Sequence, residues 1–306
     1  DDVTRPFLST VNLKSIALYG GVPILKQMRT LRRGSDIVIG TPGRIEDHIS
    51  EGTLDISRVQ SFVLDEADQM LDIGFLPAIE RICHSIPPER QTLLFSATMS
   101  SKVKALAQSF LNKPKQIIIS DQKKISKHID QKVIFLKPEE KIVELQMILR
   151  RKMANRVLVF SRTKYAVDKL VKICTRIGFN LNSIHGDKSQ AKREEALAYF
   201  KRGNGRILVA TDIAARGLDL PNVDLIINFD LPTSAEIYIH RVGRTARAGK
   251  SGQVISFCSY HERESLRMIE KFIKQNLRVS ARLGKSIEDH SSAAIKRLRT
   301  RHSKKK

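Results

Sequence analysis

Two adjacent carboxylates, Asp65 and Glu66, stand directly after the apolar run Ser61-Phe62-Val63-Leu64, and Asp68 follows two residues on. An apolar run this short reads as a strand of a parallel sheet, buried on both faces. Open α/β sheets bind their ligands outside the carboxyl ends of the strands. A carboxylate placed there can hold a hydrated Mg²⁺ beside nucleotide phosphates, and its neighbour can orient or deprotonate an attacking water. Asp65 suits the first task and Glu66 the second. The same residues also make an ordinary helix start, with Asp65 as N-cap and Glu66 and Asp68 favoured in the first turn by the helix dipole. Taken alone, the stretch fits either reading.

The second reactive set is cationic. In His240-Arg241-Val242-Gly243-Arg244-Thr245-Ala246-Arg247-Ala248-Gly249, Arg244 and Arg247 are three apart, on one helical face. Guanidinium groups so placed can reach a γ-phosphate as arginine fingers. A solvated basic helix end is the simpler alternative. Gly243 and Gly249 bracket the arginines and thin the helix, which weighs against a merely structural element.

Small polar clusters follow other apolar runs. Ser96-Ala97-Thr98 can hydrogen-bond Asp68, or one of its hydroxyls can cap the helix expected through 103–110. Thr41-Pro42-Gly43-Arg44 precedes a helix expected to begin at Ile45. Backbone N–H groups there can bind a phosphate beside Arg44, although a plain strand-to-helix turn reads the same way. Further on come Ser161-Arg162-Thr163, His185-Gly186-Asp187 with Gln190 and Arg193, Thr211-Asp212, and Ala214-Ala215-Arg216-Gly217-Leu218-Asp219. Each alone is turn and cap chemistry. Together they set hydroxyls, amides and cations along one sheet edge, which suits a phosphate backbone.

The elements that must position these groups alternate. Strands are expected at 14–19, 36–39, 61–64, 92–95 and 116–119, with helices at 24–32, from 45, at 76–85 and at 103–110. A second series has strands at 132–136, 156–160, 182–184, 206–210, 225–228 and 253–257. Its helices fall at 139–150, 166–177, 190–201, 235–243 and 262–276. Strand–helix alternation predicts α/β architecture with parallel sheets covered by helices. The polar, aperiodic stretch 120–127 reads as a linker, giving domains 1–120 and 128–278 and a basic flexible tail 279–306.

A length of 306 residues suits two domains, and 41% hydrophobic residues supply each with a core. No apolar run approaches a membrane span, and the first residues lack the pattern of a signal peptide. Cys83, Cys174 and Cys258 are far apart and form no zinc spacing or disulfide framework, which points to a reducing, cytoplasmic setting. The formal charge is +22; after residue 278 the chain carries nine Lys/Arg against Glu288 and Asp289, so the body is basic as well. A field of that sign favours a polyanion, most simply nucleic acid.

Thr41-Pro42-Gly43-Arg44, Asp65-Glu66-Ala67-Asp68, Ser96-Ala97-Thr98, Ala210-Thr211-Asp212 with Arg216-Gly217-Leu218-Asp219, and His240 through Arg247 occur in the order found in DEAD-box RNA helicases. The chain resembles that family, most of all its bacterial RhlE type, from about Lys14 to Asn276. The resemblance implies two tandem RecA-like domains, with ATP and Mg²⁺ in the cleft between them and single-stranded or short-duplex RNA across both. It makes Asp65 the organiser of Mg²⁺ through water and Glu66 the catalytic base. Asp68, Ser96, Thr98 and His240 then couple hydrolysis to closure. Gly217 and Asp219 lie near the nucleotide, and Arg244 and Arg247 contact the γ-phosphate. Gly21, Thr41, Gly43, Arg44, Arg162, Gln190, Arg193 and Thr211 lie along the RNA. Ribosome or RNA-decay complexes are the partners it suggests.

Three motifs of the family pattern are missing: the adenine-reading glutamine, the Gly-x-x-x-x-Gly-Lys-Thr phosphate loop and a Pro-Thr-Arg-Glu-Leu segment. Gly249-Lys250-Ser251 is no substitute, because five residues separate Gly243 from Gly249 and no strand precedes them. The pattern places all three upstream of Gly20-Gly21, so the expectation is a first domain incomplete at its N-terminus and impaired in ATP binding. A non-catalytic RNA-binding remnant is the alternative, and a DNA helicase or an interaction module on a RecA-like core is a third reading.

Overall fold

The structure, a computed structural model, describes residues 4–118, 128–151, 154–215, 218, 220, 223–246 and 250–283. The chain divides into two compact units, Asp1–Gln122 and Lys123–Lys306. Unit 1 runs α1 (Arg5–Thr10), β1 (Ser15–Leu18), α2 (Ile24–Leu31), β2 (Ile37–Gly40), α3 (Pro42–Ser50), β3 (Ser61–Leu64), α4 (Ala67–Ile73), α5 (Leu76–Ser85), β4 (Gln91–Leu94) and α6 (Ser101–Phe110). β1 pairs with β2 and β3 with β4, both in parallel, as two separate ladders among the described residues. Ile16, Leu18 and Leu54 form one core, against which Val38, Ile45 and Ile49 pack. A Cβ on Gly40 would meet Leu18 O at 2.6 Å and Ile45 Cγ1 at 2.9 Å. Only glycine lets the end of β2 approach β1 and α3 this closely.

Three expectations for unit 1 change. α3 starts at Pro42 rather than Ile45, since proline's fixed φ and missing N–H suit the first helical position. β3 is not buried on both faces: Leu64 is buried but Val63 is 51% exposed. A two-stranded ladder cannot cover two faces. Of the strand expected at 116–119, residues 116–118 are irregular, and Ile117 and Ile118 are exposed.

Unit 2 runs β5 (Ile129–Phe135), α7 (Lys141–Arg150), β6 (Val157–Phe160), α8 (Lys164–Arg176), β7 (Leu181–Ile184), α9 (Gln190–Lys201), β8 (Ile207–Ala210), α10 (Asp212–Ala215), β9 (Leu225–Asn228), α11 (Ala235–Val242), β10 (Gly252–Cys258), α12 (Arg263–Ile273) and β11 (Arg278–Val279). One parallel sheet orders them β11-β5-β10-β9-β6-β8-β7. Alternate residues of each strand feed opposite layers. Leu158 and Phe160 join Phe200, Tyr238 and Leu266 on one side; Val157 and Val159 join Leu145, Val167 and Phe257 on the other. Because the strands are parallel, all their carboxyl ends meet at one edge, where the polar clusters sit.

The expected tail begins too early. Ser280 N–H donates to Val133 O at 2.9 Å, Arg282 reaches Phe135 O at 3.1 Å and Glu140 Oε1 at 2.6 Å, and Leu283 N–H donates to Glu144 Oε1 at 2.9 Å. The chain up to Leu283 is therefore docked on β5 and α7. The linker 120–127 and the tail beyond 283 lie outside the described residues. No described helix is long and apolar enough to cross a membrane.

Candidate functional site

β3 runs directly into the acids. Glu66 precedes α4 with φ 54° and ψ 46°, a left-handed conformation for a residue with a Cβ. Such a turn stores on the order of 1–3 kcal/mol and persists only where its surroundings enforce it. Here Phe95 N–H donates to Leu64 O at 2.8 Å and Ala67 N–H to Phe95 O at 3.0 Å, which extends the β3–β4 ladder on both sides of Glu66. Asp65 Oδ1 accepts the Glu66 N–H at 2.9 Å, and both carboxylates are exposed. Asp68 is buried. Its Oδ2 accepts Thr98 N–H at 3.0 Å and Thr98 Oγ1 at 2.9 Å, and its Oδ1 accepts Gln69 N–H at 3.1 Å. Ser96 Oγ donates to Thr98 O at 2.7 Å.

These contacts show which residues begin the two helices. Ser100, not Ser96 or Thr98, caps α6, accepting Val103 N–H. Glu66, not Asp65, occupies the N-cap of α4, and it makes no side-chain cap bond. Asp65, Glu66, Asp68, Ser96 and Thr98 thus converge at the carboxyl ends of two paired strands.

The turns after β1 and β2 form a second site in unit 1. Gly21 has φ 81°, and Thr41, Gly43 and Arg44 lie at the start of α3. The Arg44 side chain is only 14% exposed. Its Nη1 donates to Val22 O at 2.9 Å and Gln27 Oε1 at 2.7 Å, bracing the glycine loop against α3. Gln27 Nε2 donates to Tyr19 O at 3.2 Å, so its Oε1 faces Arg44 and also His48 Nε2, 3.1 Å away. On the other side of the ring, His48 Nδ1 lies 2.8 Å from Thr53 Oγ1. Burial pushes the His48 pKa below its ordinary 6.5 and Arg44 adds to the shift, against Asp47 and Glu51. Gln27 and His48 escaped the sequence reading, because nothing local marks a residue whose partner lies far along the chain.

In unit 2, Arg162 follows β6. Its N–H and the Ser161 Oγ donate to Asp230 Oδ2 at 3.0 and 2.7 Å. Its half-exposed guanidinium places Nη2 3.4 Å from both Leu231 O and Glu262 Oε1. Buried Lys141 joins the two acids, donating to Asp230 Oδ1 at 3.2 Å and Glu262 Oε2 at 2.8 Å. Burial raises the pKa of Asp230, but hydrogen bonds from Arg162 and Ser161 and the Lys141 charge outweigh it and hold it low. Glu262 is likewise raised by burial and brought below its ordinary value by Lys141 and Ser259. Along the same edge, Arg193 Nη2 donates to Gly186 O at 2.8 Å, Gln190 opens α9, and Thr211 N–H donates to Ile184 O at 3.3 Å.

The arginine segment differs from its sequence reading. α11 stops at Val242, Gly243 is its C-cap, and Thr245 bridges to Val223. Arg244 therefore lies in the turn beyond the helix rather than on its face. Its Nη1 donates to Leu218 O at 3.0 Å. Ala246, next but one, has φ 54°. Arg241, not singled out from the sequence, is 2% exposed. It grips Asp212 Oδ1 at 2.6 Å and Oδ2 at 2.8 Å, reaches Asn228 Oδ1 at 2.9 Å and Asp230 O at 2.7 Å, and lies 4.8 Å over the Phe160 ring. His240, Arg241, Arg244 and Asp212 line one small crevice. Gly217, Asp219 and Arg247 lie outside the described residues.

Comparison with known proteins follows the same division. Residues 2–106 match the DEAD/DEAH box helicase family and residues 139–249 the helicase conserved C-terminal domain. The chain is 44% identical over 271 residues to DEAD-box ATP-dependent RNA helicase 9 of Oryza sativa, covering 88% of this chain and 43% of that protein. It is 39% identical to the DEAD-box ATP-dependent RNA helicase CshA of Bacillus subtilis, covering 94% and 58%. The chain thus spans about half the length of these curated relatives. Among solved structures, S. cerevisiae Dbp5 bound to RNA and ADP BeF3 superposes with a TM-score of 0.79 at 26% identity, covering 88% of this chain and 70% of that one. Mss116 bound to ssRNA and UDP-BeF gives 0.79 at 30%, covering 90% and 59%. An acid loop tied to Ser-Ala-Thr in one unit, a buried arginine segment in the next and family models matching each in turn have one reading: the chain belongs to the DEAD-box RNA helicase family, with two tandem RecA-like α/β domains.

Proposed function

We propose that this protein couples ATP hydrolysis at the Asp65–Glu66 loop to the remodelling of single-stranded or short-duplex RNA. The observation that carries this is the buried Asp68–Thr98 pair, which ties the helix following Glu66 to the Ser-Ala-Thr turn. A change at the nucleotide is thereby passed to a second loop. Glu66, held exposed by its strained turn, takes the proton of the attacking water. Asp65 is placed to hold Mg²⁺ through water. Among the described residues no group of three His, Cys, Asp or Glu could ligate a metal directly, which fits a site completed by phosphate oxygens. When bound, Mg²⁺ supplies charge neutralisation to the phosphates. Arg244 and Arg247 stabilise charge on the γ-phosphate, Gly217 and Asp219 contact the nucleotide, and His240 shares the Arg244 crevice as a coupling residue.

On this reading Gly21, Thr41, Gly43, Arg162, Gln190, Arg193 and Thr211 bind the RNA backbone, with Arg44 holding the Gly21 loop in place. Residues 1–120 and 128–278, the latter with the docked segment to Leu283, are the working domains. The RhlE-type affiliation, a cytoplasmic location and ribosome or RNA-decay partners belong to the same proposal. The test is RNA-stimulated ATP turnover, with Glu66→Gln abolishing it while nucleotide binding is spared.

One observation favours a second reading, in which the 306 residues bind RNA without turnover. They contain no Gly-x-x-x-x-Gly-Lys-Thr loop to cradle the β- and γ-phosphates. Salt-dependent RNA binding with no hydrolysis by this chain would support that reading. Robust turnover that is lost on Glu66→Gln would refute it.

A further inference from the structure

We propose that the RNA track of unit 2 extends beyond Arg162 to Tyr260, whose ring is a stacking platform for an unpaired base. The proposal rests on the RNA-binding reading above and adds to it a contact with a base rather than with the backbone.

Tyr260 lies just past the carboxyl end of β10, on the same sheet edge as Arg162, with β9 alone between β10 and β6. Two strand spacings are roughly 10 Å, short enough for one nucleic-acid strand to touch both residues. Tyr260 is 74% exposed, yet it is not a loose surface ring. The Arg263 guanidinium sits 5.2 Å from its centroid and 5.9 Å from that of Phe135, and the His261 ring meets it edge-on at 5.7 Å and 84°. The turn that carries it is fixed as well: Glu262 Oε2 accepts Ser259 N–H at 2.9 Å and Ser259 Oγ at 2.7 Å. The other oxygen of that carboxylate is the one facing Arg162 Nη2. A single buried acid thus holds both the phosphate-binding cation and the aromatic turn in place.

An exposed tyrosine with a cation against its ring is ordered before a ligand arrives and still has area to offer. Bases stack on such rings with little regard to sequence, and the half-exposed Arg162 beside it suits the adjoining phosphate. Tyr165 is equally exposed, at 75%, but makes no ring or cation contact among the described residues, and it serves as the comparison.

The experiment measures binding of the full 306-residue chain to oligo(A) and to an abasic ribose-phosphate strand of the same length. Tyr260→Ala should weaken oligo(A) binding about tenfold, the range of one lost stacking contact, and leave the abasic strand unaffected. Tyr260→Phe should keep the wild-type affinity, and Tyr165→Ala should change neither. Unchanged oligo(A) binding by Tyr260→Ala, an equal loss on both strands, or an equal loss with Tyr165→Ala would overturn the platform while RNA binding stands. Failure of the wild-type chain to bind either strand would instead remove the RNA reading on which the platform rests.

Discussion

Glu66 is the residue whose conformation says most about its task. A left-handed Glu exposes its carboxylate past the strand end at a cost in stability. Glycine relieves that cost and alanine does not. Glu66→Gly should therefore be more stable than Glu66→Ala by roughly 1 kcal/mol, a difference thermal unfolding of the two variants resolves. Asp68 is the opposite case, buried and satisfied. In Asp68→Asn an amide must replace one carboxylate oxygen, so a donor meets either the two Thr98 donors or the Gln69 N–H. The loss should be about 1–3 kcal/mol of stability, read from chemical denaturation. Both acids are visible in the sequence because they follow an apolar run at once. Arg241 and Lys141 are not, since their partners Asp212, Asp230 and Glu262 are far away in the chain and only the fold brings them together.

Between elements, the most consequential polar node is Lys141 with Asp230 and Glu262, joining α7, the end of β9 and the turn before α12. Lys141→Met takes the cation from buried Glu262 and partly buried Asp230, whose other hydrogen bonds remain, and should cost about 3 kcal/mol, with a matching drop in Tm. The acid response of the two units should differ in order. The folded His48 pKa lies below 6.5, so the unfolded chain gains a proton first and unit 1 loses stability as pH falls below about 6.5. Asp230 and Glu262 are also held low, from ordinary values of 3.8 and 4.5. Their contribution is complete above those values and is lost as pH falls through the folded ones. Hydrogen exchange followed from pH 7 to about pH 5 should show protection falling in unit 1 before unit 2, and His48→Gln should flatten that response.

Element legibility followed burial. β6, β8 and β9 are apolar at nearly every position and stood out. α10, with four residues, and β11, with two, are too short for a period, and β11 forms only because β5 offers it an edge. Ile117 and Ile118 misled in the other direction: strand-like residues do not make a strand without a ladder partner.

For the whole molecule, the +22 charge was legible outright and sets the expected salt response. Removing the residues after Leu283 takes away eight Lys/Arg against two acids without disturbing the docked segment Arg278–Leu283. That truncation should weaken RNA binding evenly across sequences and make log Kd against log salt less steep. An unchanged slope would assign RNA binding to the folded body alone.

The place of β5 has a consequence for biosynthesis. It is the first strand of unit 2 to leave the ribosome, but its neighbours in the sheet are β10 and β11, the last two. While α7 through α11 are being made, the Ile129–Phe135 strand has both edges open and no native pairing to occupy them. The nascent chain therefore carries an unpaired strand whose last three residues, Val133, Ile134 and Phe135, are apolar and suited to a chaperone that holds extended segments. Messages cut short before β10 should yield products that aggregate rather than a smaller folded unit.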